Sequence, residues 1–194
     1  MSTHCLICDK HANKNSTGIY CHSDGYIENA GLILYTFYNT KESVEDLLSL
    51  GDLSRLGFYI GEKMDFNENF TDYEYYKEHA YQCVAYCRDR EEDLHKYENT
   101  YNTIRNRASE SYNYVFSDDG NWYTWKYGSE ETRLLSDILK ENEYVCSLDM
   151  QKSWLEDETI PQEFKDKIFE ALKDLGILHE ELLEKVECNE EQEI

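Results

Sequence analysis

The stretch Gly18-Ile19-Tyr20-Cys21-His22-Ser23-Asp24-Gly25-Tyr26 decides how this chain is read. Its first half, continued back to Thr17, is a strand, and Ser23-Asp24-Gly25 is turn chemistry: glycine offers positive φ, and the Asp carboxylate accepts from backbone N–H groups beyond it. From Ile27 the period changes. Ile27, Ala30, Gly31, Leu34, Tyr35 and Tyr38 recur three and four apart, which makes one apolar helix face. Gly31 lies on that face, where a missing side chain lets a neighbour approach closely.

Working outward, residues 3–9 read as a strand and 10–16 as a polar turn, so the opening is a hairpin. Downstream, Asn39-Thr40 ends the first helix and Thr40-Lys41-Glu42-Ser43 opens a second, carrying Val44, Leu47, Leu48 and Leu50 and stopped by Gly51. Gly51-Asp52-Leu53-Ser54-Arg55-Leu56-Gly57 reads as a compact loop. Residues 58–79 are aromatic and acidic without a clean period, an irregular insertion with one helical turn, and insertions of this length often carry function. Residues 81–88 alternate as a strand and run into the charged Arg88-Asp89-Arg90-Glu91-Glu92-Asp93. Residues 94–108 are helical or irregular. The clearest hairpin is 112–117 and 122–127 around Asp118-Asp119-Gly120-Asn121.

After Gly128 the pattern turns helical. Ser129-Glu130-Glu131-Thr132 is a start signal, Leu134, Leu135, Ile138 and Leu139 make a face, and Pro161 opens a helix over 162–175. Gly176 separates it from a short helix with Leu178, Leu182, Leu183 and Val186. The expected architecture is α+β: a small antiparallel sheet packed against two N-terminal helices in a domain over 1–128, then a helical C-terminal region over 129–194 with an acidic tail.

Three segments together resemble a family of small, mostly uncharacterised proteins encoded by bacteriophages and prophages: Gly18 to Tyr26 with Gly31, Leu50 to Gly57, and Ala85-Tyr86-Cys87-Arg88-Asp89-Arg90-Glu91. The hairpin over 112–127 also looks like that family's closing segment, so the resemblance covers roughly residues 1–127. Cys5, Cys8 and Glu92 depart from its pattern. The resemblance implies phage origin and a role in infection, without an established reaction.

The 194 residues carry 41 Asp and Glu against 19 Lys and Arg, a formal charge of -22. A surface of that sign repels nucleic acids and anionic membranes, so neither is an expected direct partner. With 40% hydrophobic and 14% aromatic residues the chain folds despite a mean hydropathy of -0.78. No apolar run spans a membrane and the N-terminus lacks the look of a signal peptide, so the expected location is the cytoplasm of a host cell. Seven scattered cysteines fit a reducing compartment.

Cys5-x-x-Cys8 with Cys21-His22 has the residue types of a zinc site, but residues three apart on a strand face opposite ways. Buried free thiols are the favoured reading, and no metal, cofactor or catalytic residue is assigned. His22, Asp24, Arg88, Asp89 and Arg90 would meet at one sheet end if the strands over 17–22 and 81–88 are neighbours, giving a site that binds or degrades a nucleotide defence signal. The competing reading is a structural ion-pair network. The third candidate is an acidic, Tyr-rich docking surface formed by Asp65, Glu68, Asp72, Tyr73, Glu74, Tyr75, Tyr76, Glu78, Glu91, Glu92 and Asp93. Carboxylates ~5–6 Å apart on a helix approximate a phosphate row, and tyrosines add rigid contact area. The favoured function is therefore a non-enzymatic, anti-CRISPR-like inhibitor that docks on the basic nucleic-acid channel of a bacterial defence effector, a CRISPR nuclease first and a restriction enzyme second.

Overall fold

The structure, a computed structural model, describes residues 3–12, 14–67 and 71–183. The chain divides into two compact units, residues 1–135 and 136–194. The first is built on β1 (Cys5–Lys10), β2 (Ser16–Ser23), β3 (Leu53–Arg55), β4 (Val84–Ala85), β5 (Tyr97–Asn99), β6 (Tyr112–Ser117), β7 (Trp122–Lys126) and β8 (Arg133–Leu134). They form one eight-stranded sheet in the order β4-β3-β2-β1-β6-β7-β8, with β5 also paired to β2. Both expected hairpins are present: Cys5 lies opposite Cys21 in β1/β2, and Tyr112 opposite Lys126 in β6/β7.

Strand alternation sends side chains to two faces. Leu6 and Cys8 of β1 pack with Val115 and Trp125 against Ile104 and Ala108, which belong to α5 (Tyr101–Arg107) and its C-terminal end. Cys5 and Ile7, fully buried, face the other way, where α2 (Lys41–Ser49) lies against β1 and β2. Thr40 caps α2 reciprocally with Ser43, as the Thr-Lys-Glu-Ser start implied, and Gly51 ends the turn beyond it at φ 70. Before α2 come a π-turn over Ile27–Gly31 and α1 (Leu32–Phe37). Three long-range bonds fix this layer: Tyr114 Oη donates to Gly25 O at 2.9 Å, Trp122 Nε1 to Tyr38 O at 2.7 Å, and Tyr38 Oη to Gly57 O at 3.0 Å.

Several expectations need correction. The sheet is mixed, because β1/β6 and β2/β3 are parallel. Residues 51–57 are not only a loop, since β3 lies inside them. Of residues 81–88 only Val84–Ala85 is strand: Asp89 accepts the Ala85 N–H at 2.7 Å and turns the chain into α4 (Tyr86–Arg90). The start signal at 129–132 is not helical. Arg105 holds the carbonyls of Ser129 and Glu130 at 3.2 and 2.8 Å and the Thr132 hydroxyl, the chain then pairs as β8, and α6 begins at Leu135 (Leu135–Glu141). In the Ser-Asp-Gly turn it is Asp24 that adopts positive φ, at 55. Gly25 is required for space, since a Cβ there would stand 2.8 Å from the Cys5 backbone nitrogen. Gly31 is under no such demand, for a Cβ would meet Leu135 at an ordinary 3.4 Å.

Residues 58–79 are the irregular insertion expected, with one short helix, α3 (Tyr73–Glu78). In the second unit α7 (Leu148–Leu155) packs on α8 (Gln162–Asp174), which follows Pro161 as read from sequence. Buried Gln151 donates to Val145 O at 3.1 Å and Ile177 O at 2.8 Å and accepts from His179 N at 2.8 Å, so an interior amide closes the loop after α8. Val186 and the acidic tail lie outside the described residues. No described helix is long and apolar enough to cross a membrane.

Candidate interaction surface

An interior ion pair ties the second acidic stretch read from sequence to the backbone just before the first. Arg88 donates Nε and Nη2 to the two oxygens of Asp89 at 2.8 and 2.9 Å, Nη1 to Ile60 O and Gly61 O at 2.8 and 2.9 Å, and Nη2 to Cys83 O at 2.6 Å. A guanidinium has five N–H donors, and all are used. The Asp89 side chain is fully buried and also accepts from Met64 N at 3.1 Å and Ala85 N. Residues 60–64 are thereby fastened to α4, and an open cleft of about 690 Å³ forms between residues 63–67 and 89–92.

Of the predicted surface residues, Asp65, Glu91 and Glu92 line that cleft, and the other described ones lie outside its wall. Asp65, Glu91, Glu92 and Asp93 are exposed; Glu91 pairs with Lys63 at 3.1 Å and Glu92 with Arg90 at 3.0 Å. Arg90 also lies 4.5 Å from the Phe66 ring centroid and 4.9 Å from that of Tyr86. Asp72 caps α3, accepting from Glu74 N at 2.9 Å and Tyr75 N at 3.2 Å, which orders the first turn of that short helix. Tyr75 accepts from Asp65 N at 2.7 Å and stacks on His79, while Tyr73 is 66% exposed and Tyr76 39%. Glu74 and Glu78 face solvent, Glu74 with Lys77 at 3.7 Å. Glu68 lies outside the described residues.

The grouping of His22 and Asp24 with Arg88, Asp89 and Arg90 required neighbouring strands, and β3 stands between β2 and β4. Arg88 is spent in the clamp, which is the structural network weighed from sequence. His22 instead joins a cluster that sequence reasoning missed. His4 Nδ1 donates to His22 O at 2.7 Å, Tyr20 Oη lies 2.8 Å from His4 Nδ1 and 3.0 Å from His22 Nδ1, and the two imidazole centroids are 4.6 Å apart. Since a carbonyl only accepts, the proton sits on His4 Nδ1 and the phenol donates to His22 Nδ1. Burial pushes the Tyr20 phenol up to about 12, which keeps it a donor. The clue was the i, i+2 pairing of Tyr20 with His22, legible only once His4 is known to lie on the neighbouring strand.

The three segments quoted above do converge. The outer edge of β2 pairs with β5 at Ser16–Gly18 and with β3 from Cys21, leaving Tyr20 N–H between them. Asp52 Oδ1 accepts that N–H at 2.8 Å, and Asp52 O accepts from Tyr86 N at 3.0 Å, so one residue links all three. Half-burial raises the Asp52 carboxyl above its usual range.

The cysteines separate as strand geometry requires. Cys5 and Cys21 face each other in one layer, where their mutual hydrogen bond and then burial push the Cys5 thiol well up. Cys8 points to the opposite face and donates to Tyr114 O at 3.3 Å. Among the described residues no three His, Cys, Asp or Glu are grouped to hold a metal ion. Comparison with protein-family models, curated proteins and solved structures finds no match to this chain.

Proposed function

We propose that the protein is a phage-encoded anti-defence inhibitor whose acidic, aromatic surface docks on the basic nucleic-acid channel of a bacterial defence effector, with a CRISPR nuclease as the first target class and a restriction enzyme as the second. The observation that carries this reading is the Arg88–Asp89 clamp, which ties together the backbone on which Asp65, Glu91 and Glu92 line one cleft. Exposed Tyr73 adds a large apolar contact at low entropy cost, and a surplus of 22 negative charges steers the chain toward a basic partner. The Lys63 and Arg90 pairs temper the local field, so the attraction comes from the summed surface rather than from one carboxylate.

The test is capture of tagged protein from nuclease-treated bacterial lysate at low and high salt, beside a variant with Asp65→Asn, Glu74→Gln, Glu91→Gln and Glu92→Gln together. A nucleic-acid-handling protein should be retained at ~0.1 M salt and lost toward ~1 M, where the Debye length shrinks from about 10 to about 3 Å. The variant should lose it at low salt too. Capture indifferent to salt and to the four substitutions would remove the electrostatic reading.

A further inference from the structure

A second cavity, of about 470 Å³, opens where the parallel pair β2 and β3 ends. Ser23 and Arg55 are the last residues of the two strands and lie in register, so both chains leave the sheet at this cavity. The volume is in the ordinary range for small-molecule sites, about 300–1,000 Å³. Its walls include Ser23 and Asp24 from the first segment, Ser54 and Arg55 from the second, and Asp72, Tyr73 and Tyr76 from the insertion.

Two features mark this cavity as a built site. Arg55 makes a single hydrogen bond, from Nη2 to His79 O at 3.2 Å, and has no carboxylate partner among the described residues, while its Nε–H is buried without any acceptor. A guanidinium so short of acceptors keeps Nη hydrogens free for an anion, while the buried Nε–H adds to the cost of the unliganded arrangement. Asp24, beside it, is held at φ 55 by its own carbonyl, which accepts from Ala30 N at 3.3 Å and Asn29 Nδ2 at 3.1 Å. Asp is one of the few non-glycine residues that takes this conformation readily, and the two bonds to its carbonyl fix the backbone at this cavity wall.

We infer that this cavity binds a mononucleotide carrying a single phosphodiester charge. Arg55, whose guanidinium lies 6.0 Å from the Tyr76 ring centroid, takes the phosphate through its free Nη hydrogens; Tyr73, with Lys77 on one side at 5.0 Å, offers its other face to the base, and the Asp24 carboxylate accepts a sugar hydroxyl while Ser23 supplies a further one. One guanidinium in a wall that also carries the Asp24 and Asp72 carboxylates, in a chain of charge -22, holds no more than one negative charge and rejects a di- or triphosphate. The inference does not rest on the docking reading.

The experiment is calorimetric titration of the full chain with nucleoside 3′,5′-cyclic monophosphates, beside the free nucleosides, the nucleoside triphosphates, inorganic phosphate and an aromatic carboxylate. One-to-one binding of at least one cyclic monophosphate is expected, with the nucleoside and the triphosphate each weaker. Arg55→Ala should weaken it roughly 10- to 100-fold with an unchanged melting curve, and Tyr73→Ala with Tyr76→Ala should weaken it as well. Absence of saturable binding at millimolar nucleotide, equal binding by Arg55→Ala, or preference for the aromatic carboxylate would each overturn the assignment. Arg55→Ala should still capture the protein partner, and the fourfold carboxylate variant should still bind nucleotide, so either reading fails without the other.

Discussion

Arg88 and Arg55 are two arginines of the same unit with opposite roles. Arg88 spends all five donors on Asp89 and three backbone carbonyls, so its charge is consumed in holding residues 60–64 against α4. Arg55 spends one donor and keeps a buried N–H without an acceptor at a cavity wall. The first arginine is structure and the second is available for chemistry. In sequence the more conspicuous of the two, set in a run of six charged residues, is the one with nothing left to offer a ligand.

The largest expected effect is at the clamp. Asp89→Ala leaves Arg88 without its buried partner and strands the Met64 and Ala85 N–H groups, which should cost about 3–5 kcal/mol in a denaturant melt. A loss under about 1 kcal/mol would show that residues 60–64 are held by something else. Gly57 tests the same region through packing, because a Cβ there would stand 2.2 Å from the Gln82 carbonyl carbon. Gly57→Ala should cost about 1–3 kcal/mol in the same assay, and a neutral outcome would mean that the insertion yields easily.

Arg55→Ala is expected to change stability by no more than about 0.5 kcal/mol, since it removes an unsatisfied donor along with its one hydrogen bond. A loss as large as that of Asp89→Ala would erase the distinction between the two arginines.

The smallest effect concerns an ion pair that differs from both, because it titrates. His11 sits between Asp9 and Asp118, with a ring nitrogen 2.8 Å from each carboxylate, and Asp118 also accepts from Ala12 N at 2.9 Å. The His11 bond, followed by that N–H, holds the Asp118 carboxyl below its usual range. A depressed carboxyl contributes stability above its unfolded value of ~3.9 and loses it as pH falls through the folded value. Protection of the Ala12 amide, taken relative to its intrinsic exchange rate at each pH, should therefore fall below about pH 4, and Asp118→Ala should show the lower protection already at neutral pH. Identical pH profiles for the two proteins would remove Asp118 from the account.

Much of the fold was legible in local signals. The hairpins of β1/β2 and β6/β7, the α1 and α2 faces, the Thr40 cap and the Pro161 start rest on periodicity and turn chemistry within a few residues of each other. What misled was a side chain that takes backbone groups the local pattern had assigned elsewhere. Residues 81–88 have strand alternation, but the Asp89 carboxylate takes the Ala85 N–H; residues 129–132 have a helix start, but Arg105 captures their carbonyls. The two acidic stretches were visible, yet that Asp65 shares a cleft with Glu91 and Glu92 depends on the backbone Arg88 and Asp89 hold, and the His4, Tyr20 and His22 cluster depends on strand register.

By itself, then, the sequence determined the sign and size of the charge, the mixed α and β character, most helix and hairpin positions and the chemical character of the insertion, because each is a property of composition or of neighbours along the chain. The tertiary structure alone decided that β3 separates β2 from β4, that Arg88 is satisfied and that Arg55 is not. A guanidinium's availability depends on which acceptors the fold brings to it, and those come from residues 60, 61, 79, 83 and 89, which no local pattern connects.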